Sequence, residues 1–176
     1  MIYLSATYSN RPILSLRVGG PIGHASSPVI NANNLKIEGW YATMQGEQGQ
    51  MILPSGQVRD IISKGIVVDD HDAITPIEDL IRLKDVIDLG YKLIGVDVYS
   101  ESGAKLGKVQ EYSVDQKSLY INKLYVAQGL LRSIANFGGS QLIINRSQIV
   151  DITSTKIIVS EATQKAKSPT TATAQA

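Results

Sequence analysis

The chain contains no cysteine, which excludes disulfide staples, thiolate nucleophiles and thiolate metal sites. It has no surplus of either charge. Its 17 Lys and Arg stand against 16 Asp and Glu, which argues against a role driven by attraction to phosphate, because nucleic-acid-binding domains carry a basic face. No apolar run is long enough to cross a bilayer, so direct membrane insertion is not expected. Residues Met1 to Pro12 lack the basic start and apolar run of a secretory leader. A cytoplasmic protein is the expectation.

Chemistry-bearing patterns are sparse as well. Gly19-Gly20-Pro21-Ile22-Gly23 follows an apolar strand. Its spacing matches neither nucleotide fingerprint and no Lys-Ser/Thr closes it, so it reads as a hairpin turn. His24 lies near Ser26 and Ser27, a base beside a nucleophile, but no acidic third member or glycine elbow accompanies them. No catalytic residue and no cofactor are expected.

What the chain does contain is a repeat. Leu142 to Val159 lies over Met51 to Val68 without a gap; Gln57/Gln148, Asp60/Asp151, Ile61/Ile152 and Ser63/Ser154 are identical pairs. Each copy reads as a short strand, a turn, a second strand and a third. With 176 residues, two small units are indicated. A unit of about 70 residues buries a thin core, so the copies are expected to lean on each other or on the link between them.

In the first copy, Met1 to Asn10 is a lead that forms an edge strand or stays loose. Ile13 to Val18 is a strand with Leu14, Leu16 and Val18 on its buried face. Asn31 to Asn34 is a turn. Leu35 to Thr43 is a strand in which Trp40 follows Ile37 by three residues rather than two, so a β-bulge is expected at Glu38-Gly39. Trp40 is either sheet packing, the favoured reading, or a partner contact.

Asp69, Asp70, His71 and Asp72 form the best metal candidate, three carboxylates and an imidazole. Adjacent residues point different ways, however, and a solvated acidic turn before a helix accounts for them too. Thr75-Pro76-Ile77-Glu78 combines an N-cap, a proline at the first helical position and a capping glutamate. This predicts a helix to about Leu89, stopped by Gly90. Its wide stripe of Ile77, Leu80, Ile81, Leu83 and Ile87 predicts cover on more than one side, between the two halves.

In the second copy Leu93 to Val98 takes the place of the first strand, and Gly107 falls on Gly23. Leu124 and Tyr125 fall on Trp40 and Tyr41, which places a second bulge near Asn122-Lys123. Ile94-Gly95-Val96-Asp97-Val98, then Gly103-Ala104-Lys105-Leu106-Gly107-Lys108-Val109, then Ile149-Val150-Asp151-Ile152, resemble the PRC-barrel family over Lys92 to Glu161. That family includes the H subunit of photosynthetic reaction centres and the C-terminal domain of a ribosome maturation factor. Pro12 to Asp69 matches more loosely, since Gly20-Pro21-Ile22-Gly23-His24-Ala25 replaces the Gly-x-x-Leu-Gly-x-Val turn.

The resemblance implies a mainly β protein. Two small, strongly bent barrels would occupy residues 1–74 and 92–161; the helix signals above join them at 75–91, and the composition of 162–176, without a large apolar residue, predicts a disordered tail. The family shares no catalytic residues, so none is carried over. The copies differ most between Ala127 and Gln141, where Leu130, Leu131, Ile134 and Phe137 have helical spacing beside Arg132. This segment either plugs its barrel, the favoured reading, or forms a partner or dimer contact with Tyr125. The function expected is a non-catalytic adaptor that binds another protein or a second copy of itself. The alternatives are an RNA- or ribosome-associated assembly factor and a small-molecule or metal-binding protein using the acidic cluster.

Overall fold

The structure is a computed structural model that describes residues 1–47, 49–127 and 141–160. It is mainly β and holds two seven-stranded sheets, one of them curled into a half-barrel. The first contains β2 (Arg11–Ser15), β3 (Gly20–Asn31), β4 (Lys36–Met44), β5 (Met51–Pro54), β6 (Val58–Ile62), β7 (Gly65–Val68) and β8 (Thr75–Pro76), in the order β6-β7-β2-β3-β4-β5-β8. The second contains β9 (Asp97–Ser100), β10 (Lys105–Asp115), β11 (Ile121–Ala127), β12 (Gln141–Asn145), β13 (Ile149–Ile152) and β14 (Lys156–Val159). Their order is β13-β14-β9-β10-β11-β12, with β1 (Ile2–Leu4) added against β10.

The two orders are the same path traced twice. In each sheet the last strand of the repeat runs parallel to the first: Ile66 pairs with Ile13, and Ile157 with Val98. Both copies also turn through a 3-10 helix, Ser55–Gln57 and Arg146–Gln148. The second of these is closed by a reciprocal box between Asn145 and Gln148.

Both expected bulges are present. Val29 and Ile30 oppose Gly39 and Ile37, so Glu38 is the extra residue; Ser113 and Val114 oppose Lys123 and Ile121, so Asn122 is. Each extra residue resets the alternation, which lets Ile37 and Trp40, and likewise Ile121 and Leu124, all enter the core. Gly23 and Gly107 also coincide. A Cβ at either would lie 2.2 Å from the Thr43 carbonyl oxygen or 2.0 Å from that of Ala127, so the two strands approach closely only with glycine there.

The first strand of each copy departs from expectation. β2 ends at Ser15, and Ile13 and Ser15 face the core, while Leu16 and Val18 stand 64% and 55% exposed on the hairpin turn. The phase is inverted because the pairing of β2 with β7 aligns Ile13 with Ile66, and the turn starts where Ser15 accepts backbone N–H groups from Gly19 and Val18. In the second copy the strand is Asp97–Ser100 rather than Leu93 to Val98. A turn at Ile94 and Gly95, where Gly95 adopts a φ of +93°, puts Leu93 and Val96 inside and leaves Ile94 outside.

The link differs most. Thr75 and Pro76 are not a helix start: they add as β8 to the edge of β5, Ile52 opposite Thr75 and Met51 opposite Pro76. Pro76 has the extended angles φ −56°, ψ 145°. Two 3-10 turns follow (Ile77–Asp79 and Ile81–Leu83), then a six-residue helix, α1 (Lys84–Leu89). Gly90 ends it in the left-handed region, as its position predicts. Satisfying the open edge of β5 outweighs a local cap worth about 1 kcal/mol. The link also does not lie between the halves. Ile87 is buried with Val29 and Ile52 on the outer face of the first sheet, where Ile77, Leu80, Leu83 and Val86 join it; Ile81 points to solvent, 84% exposed.

The leads of the two copies are exchanged. Residues before β2 pair with β10 of the second sheet, Ile2 opposite Asp115 and Leu4 opposite Ser113. Residues before β9 form α1 and lie against β3 of the first. Buried side chains of both sheets form one hydrophobic cluster, running from Tyr8 and Trp40 to Leu124 and Val159. The halves therefore share a core. No helix among the described residues is long and apolar enough to cross a membrane.

Candidate interaction surface

Tyr41 and Ile52 face each other on the outer side of the first sheet, and Tyr125 and Ile143 face each other at the matching place on the second. The chemistry is the same and the surroundings are not. Ile52 is fully buried beneath the link, whereas Ile143 is 48% exposed. The strands behind them differ in the same way: β5 receives β8, while β12 is an edge among the described residues.

The cover on the first sheet shows what such a face takes. Ile77, Leu80, Leu83, Val86 and Ile87 close over Val29, Tyr41 and Ile52. Each fully buried side chain of this size is worth about 1.5–3 kcal/mol. On the second sheet the position two residues before Tyr125 is Lys123, which shares its face, where the first sheet has Gly39. None of the ion pairs among the described residues includes Lys123.

Of the residues singled out from sequence, Tyr125 lies on this surface, half-buried. Trp40 does not: it is wholly buried in the shared core and is sheet packing, not a contact for a partner. Leu130, Leu131, Arg132, Ile134 and Phe137 lie outside the described residues, as does the tail at 162–176. Ile143 escaped sequence reasoning. The signal for it was the unbroken apolar run Leu142-Ile143-Ile144, since a strand apolar on both faces asks for cover on both.

The acidic cluster is occupied by neighbouring arginines. Arg59 Nε donates to both Asp69 carboxylate oxygens, at 2.8 and 2.9 Å. Arg17 reaches Asp70 at 2.7 Å, and His71 Nδ1 lies 2.9 Å from its other oxygen. The Arg17 guanidinium, then His71, holds the Asp70 carboxyl well below the usual range, and Arg59 lowers Asp69. Among the described residues no group of three acidic or imidazole side chains converges as a metal would need. The pairing explains this: the Asp69 carboxylate meets Arg59 on β6 and the Asp70 carboxylate meets Arg17 in the β2–β3 turn. At His24 and Ser26 the hydroxyl donates to the Tyr41 carbonyl, 3.1 Å away.

The second copy carries a different charge cluster. Asp97 lies 2.7 Å from Lys105 and 3.1 Å from Lys108, and these ammonium groups lower its carboxyl. Arg146 stacks on Tyr120, 4.7 Å above the ring, beside a cleft lined by Asp115, Ser118, Asn122 and Asn145. No family model matches the chain. A comparison with curated proteins likewise finds no match.

Proposed function

We propose that the protein is a non-catalytic, cytoplasmic adaptor built from two PRC-type barrels, binding another protein through its second half. The observation that supports it is the unequal treatment of two equivalent surfaces. Tyr41 and Ile52 are closed off by the chain's own link, while Tyr125 and Ile143 hold the same positions with Ile143 open. Exposed apolar surface beside a sheet edge that no described strand pairs marks an interaction site. The shared core, with its exchanged leads, would hold that surface on a rigid body.

Crosslinking in intact cells, with a photoreactive residue placed in turn at several exposed positions, tests this reading. A defined protein crosslinked from at least one position, and lost on substituting the residues around it, is expected. A monomer in solution with no partner from any position would overturn the adaptor reading.

A further inference from the structure

Thr75–Leu89 does two things to the first sheet: β8 hydrogen-bonds along the edge of β5, and the turns and helix after it lay an aliphatic stripe over Ile52. Among the described residues, the second sheet presents both features that this segment uses, an edge at β12 and an outward isoleucine at Ile143. We propose that β12 and the Tyr125–Ile143 face take a strand-then-helix segment of another protein, aliphatic on one side and acidic at its rim, as β5 takes Thr75–Leu89. This rests on the adaptor reading above and adds where the partner binds and what it is made of.

Charge selects the rim. The link carries Glu78, Asp79, Asp85 and Asp88 against Arg82 and Lys84. On the second sheet Lys123, without an ion-pair partner among the described residues, stands beside Tyr125 where the first sheet has Gly39. An acidic flank on the partner would pair with it and would set this site apart from the neutral first one. Residues 161–176 cannot supply the stripe, because they hold no large apolar side chain.

The mode combines two known ones, strand addition to an exposed edge and an amphipathic helix laid on an apolar face. Its probe is already in the chain: a labelled synthetic peptide of the link sequence TPIEDLIRLKDVIDL, added to the intact protein. Binding at one site is expected, weakened about tenfold or more by Ile143→Asp. Lys123→Glu should weaken it several-fold, with most of that loss disappearing at high salt. Both side chains are outside the core, and circular dichroism with a thermal melt checks that each variant folds. Hydrogen exchange should show the β12 amides gaining protection when the peptide is added.

No binding, or equal binding to wild type and Ile143→Asp, overturns the proposal, the latter because the peptide then sits at the first sheet. Amides of β12 already protected without peptide overturn it too, since another part of the same chain then covers the edge. A partner crosslinked in cells only from positions away from 141–145 overturns this assignment and leaves the adaptor reading standing.

Discussion

Leu35 and Leu119 are mirror partners across the joint between the two halves. The Ile37 N–H donates to the Leu119 carbonyl at 2.9 Å and the Ile121 N–H donates to the Leu35 carbonyl at 2.9 Å, so each copy gives the other one bond in the same position. Both leucines are buried, and both adopt a positive φ, +50° and +58°. A left-handed residue other than glycine costs about 1–2 kcal/mol, which is offset here by two apolar side chains driven into the shared core and two satisfied backbone groups.

This arrangement inverts the usual ranking of two substitutions. In an ordinary strand glycine is worse than alanine by about 0.5–1 kcal/mol. At Leu35, where φ is positive, glycine relieves strain that alanine retains. Leu35→Ala should lose roughly 2–5 kcal/mol, and Leu35→Gly should lose no more than that. Urea unfolding of the two variants decides it; a glycine variant clearly the weaker would show that the left-handed turn stores no strain.

Gly23→Ala and Gly107→Ala should each destabilise by about 1–3 kcal/mol or more, because the new methyl would meet a backbone carbonyl that cannot rotate away. Gly56→Ala is the control, since a Cβ there meets nothing within 4 Å. Thermal melts of the three variants should separate the first two from the third.

Ile52→Ala and Ile143→Ala change equivalent residues with unequal cover. The first should cost roughly 2–5 kcal/mol and the second less than about 1 kcal/mol. Equal losses in chemical denaturation would mean that Ile143 is covered in solution as Ile52 is.

Thr75→Val separates a strand from a helix cap. As an N-cap, Thr75 would lose about 1 kcal/mol on this change. Opposite Ile52 in β8, a β-branched apolar residue fits, and stability should stay within about 0.5 kcal/mol of wild type.

Acid should weaken the fold through its paired carboxylates. Arg17 lowers Asp70, Arg59 lowers Asp69, and Lys105 with Lys108 lowers Asp97. Each folded-state pKa therefore lies below the unfolded value of about 3.9. The stability these groups contribute is fully present above that value and is lost as pH falls through the folded pKa. The urea midpoint should hold between about pH 7 and 5 and fall toward about pH 3, less steeply in Asp70→Asn.

The repeat, the bulges at Glu38 and Asn122, the glycines at 23 and 107, and the stop at Gly90 were all legible in the one-dimensional chain. Each follows from spacing along a strand or from the one backbone geometry a residue type allows, and those are local properties. Tyr125 could be found the same way, by its alignment with Tyr41. The phase of β2, the strand at Thr75–Pro76, the exchange of leads and the exposure of Ile143 could not. They depend on which edge or face a segment meets after folding. An open strand edge or an uncovered isoleucine outweighs the cap and helix preferences of about 1 kcal/mol that the sequence displays. Sequence alone determined that a module occurs twice; only the packed chain decided that one copy is closed by its neighbour's lead while the matching isoleucine of the other faces solvent.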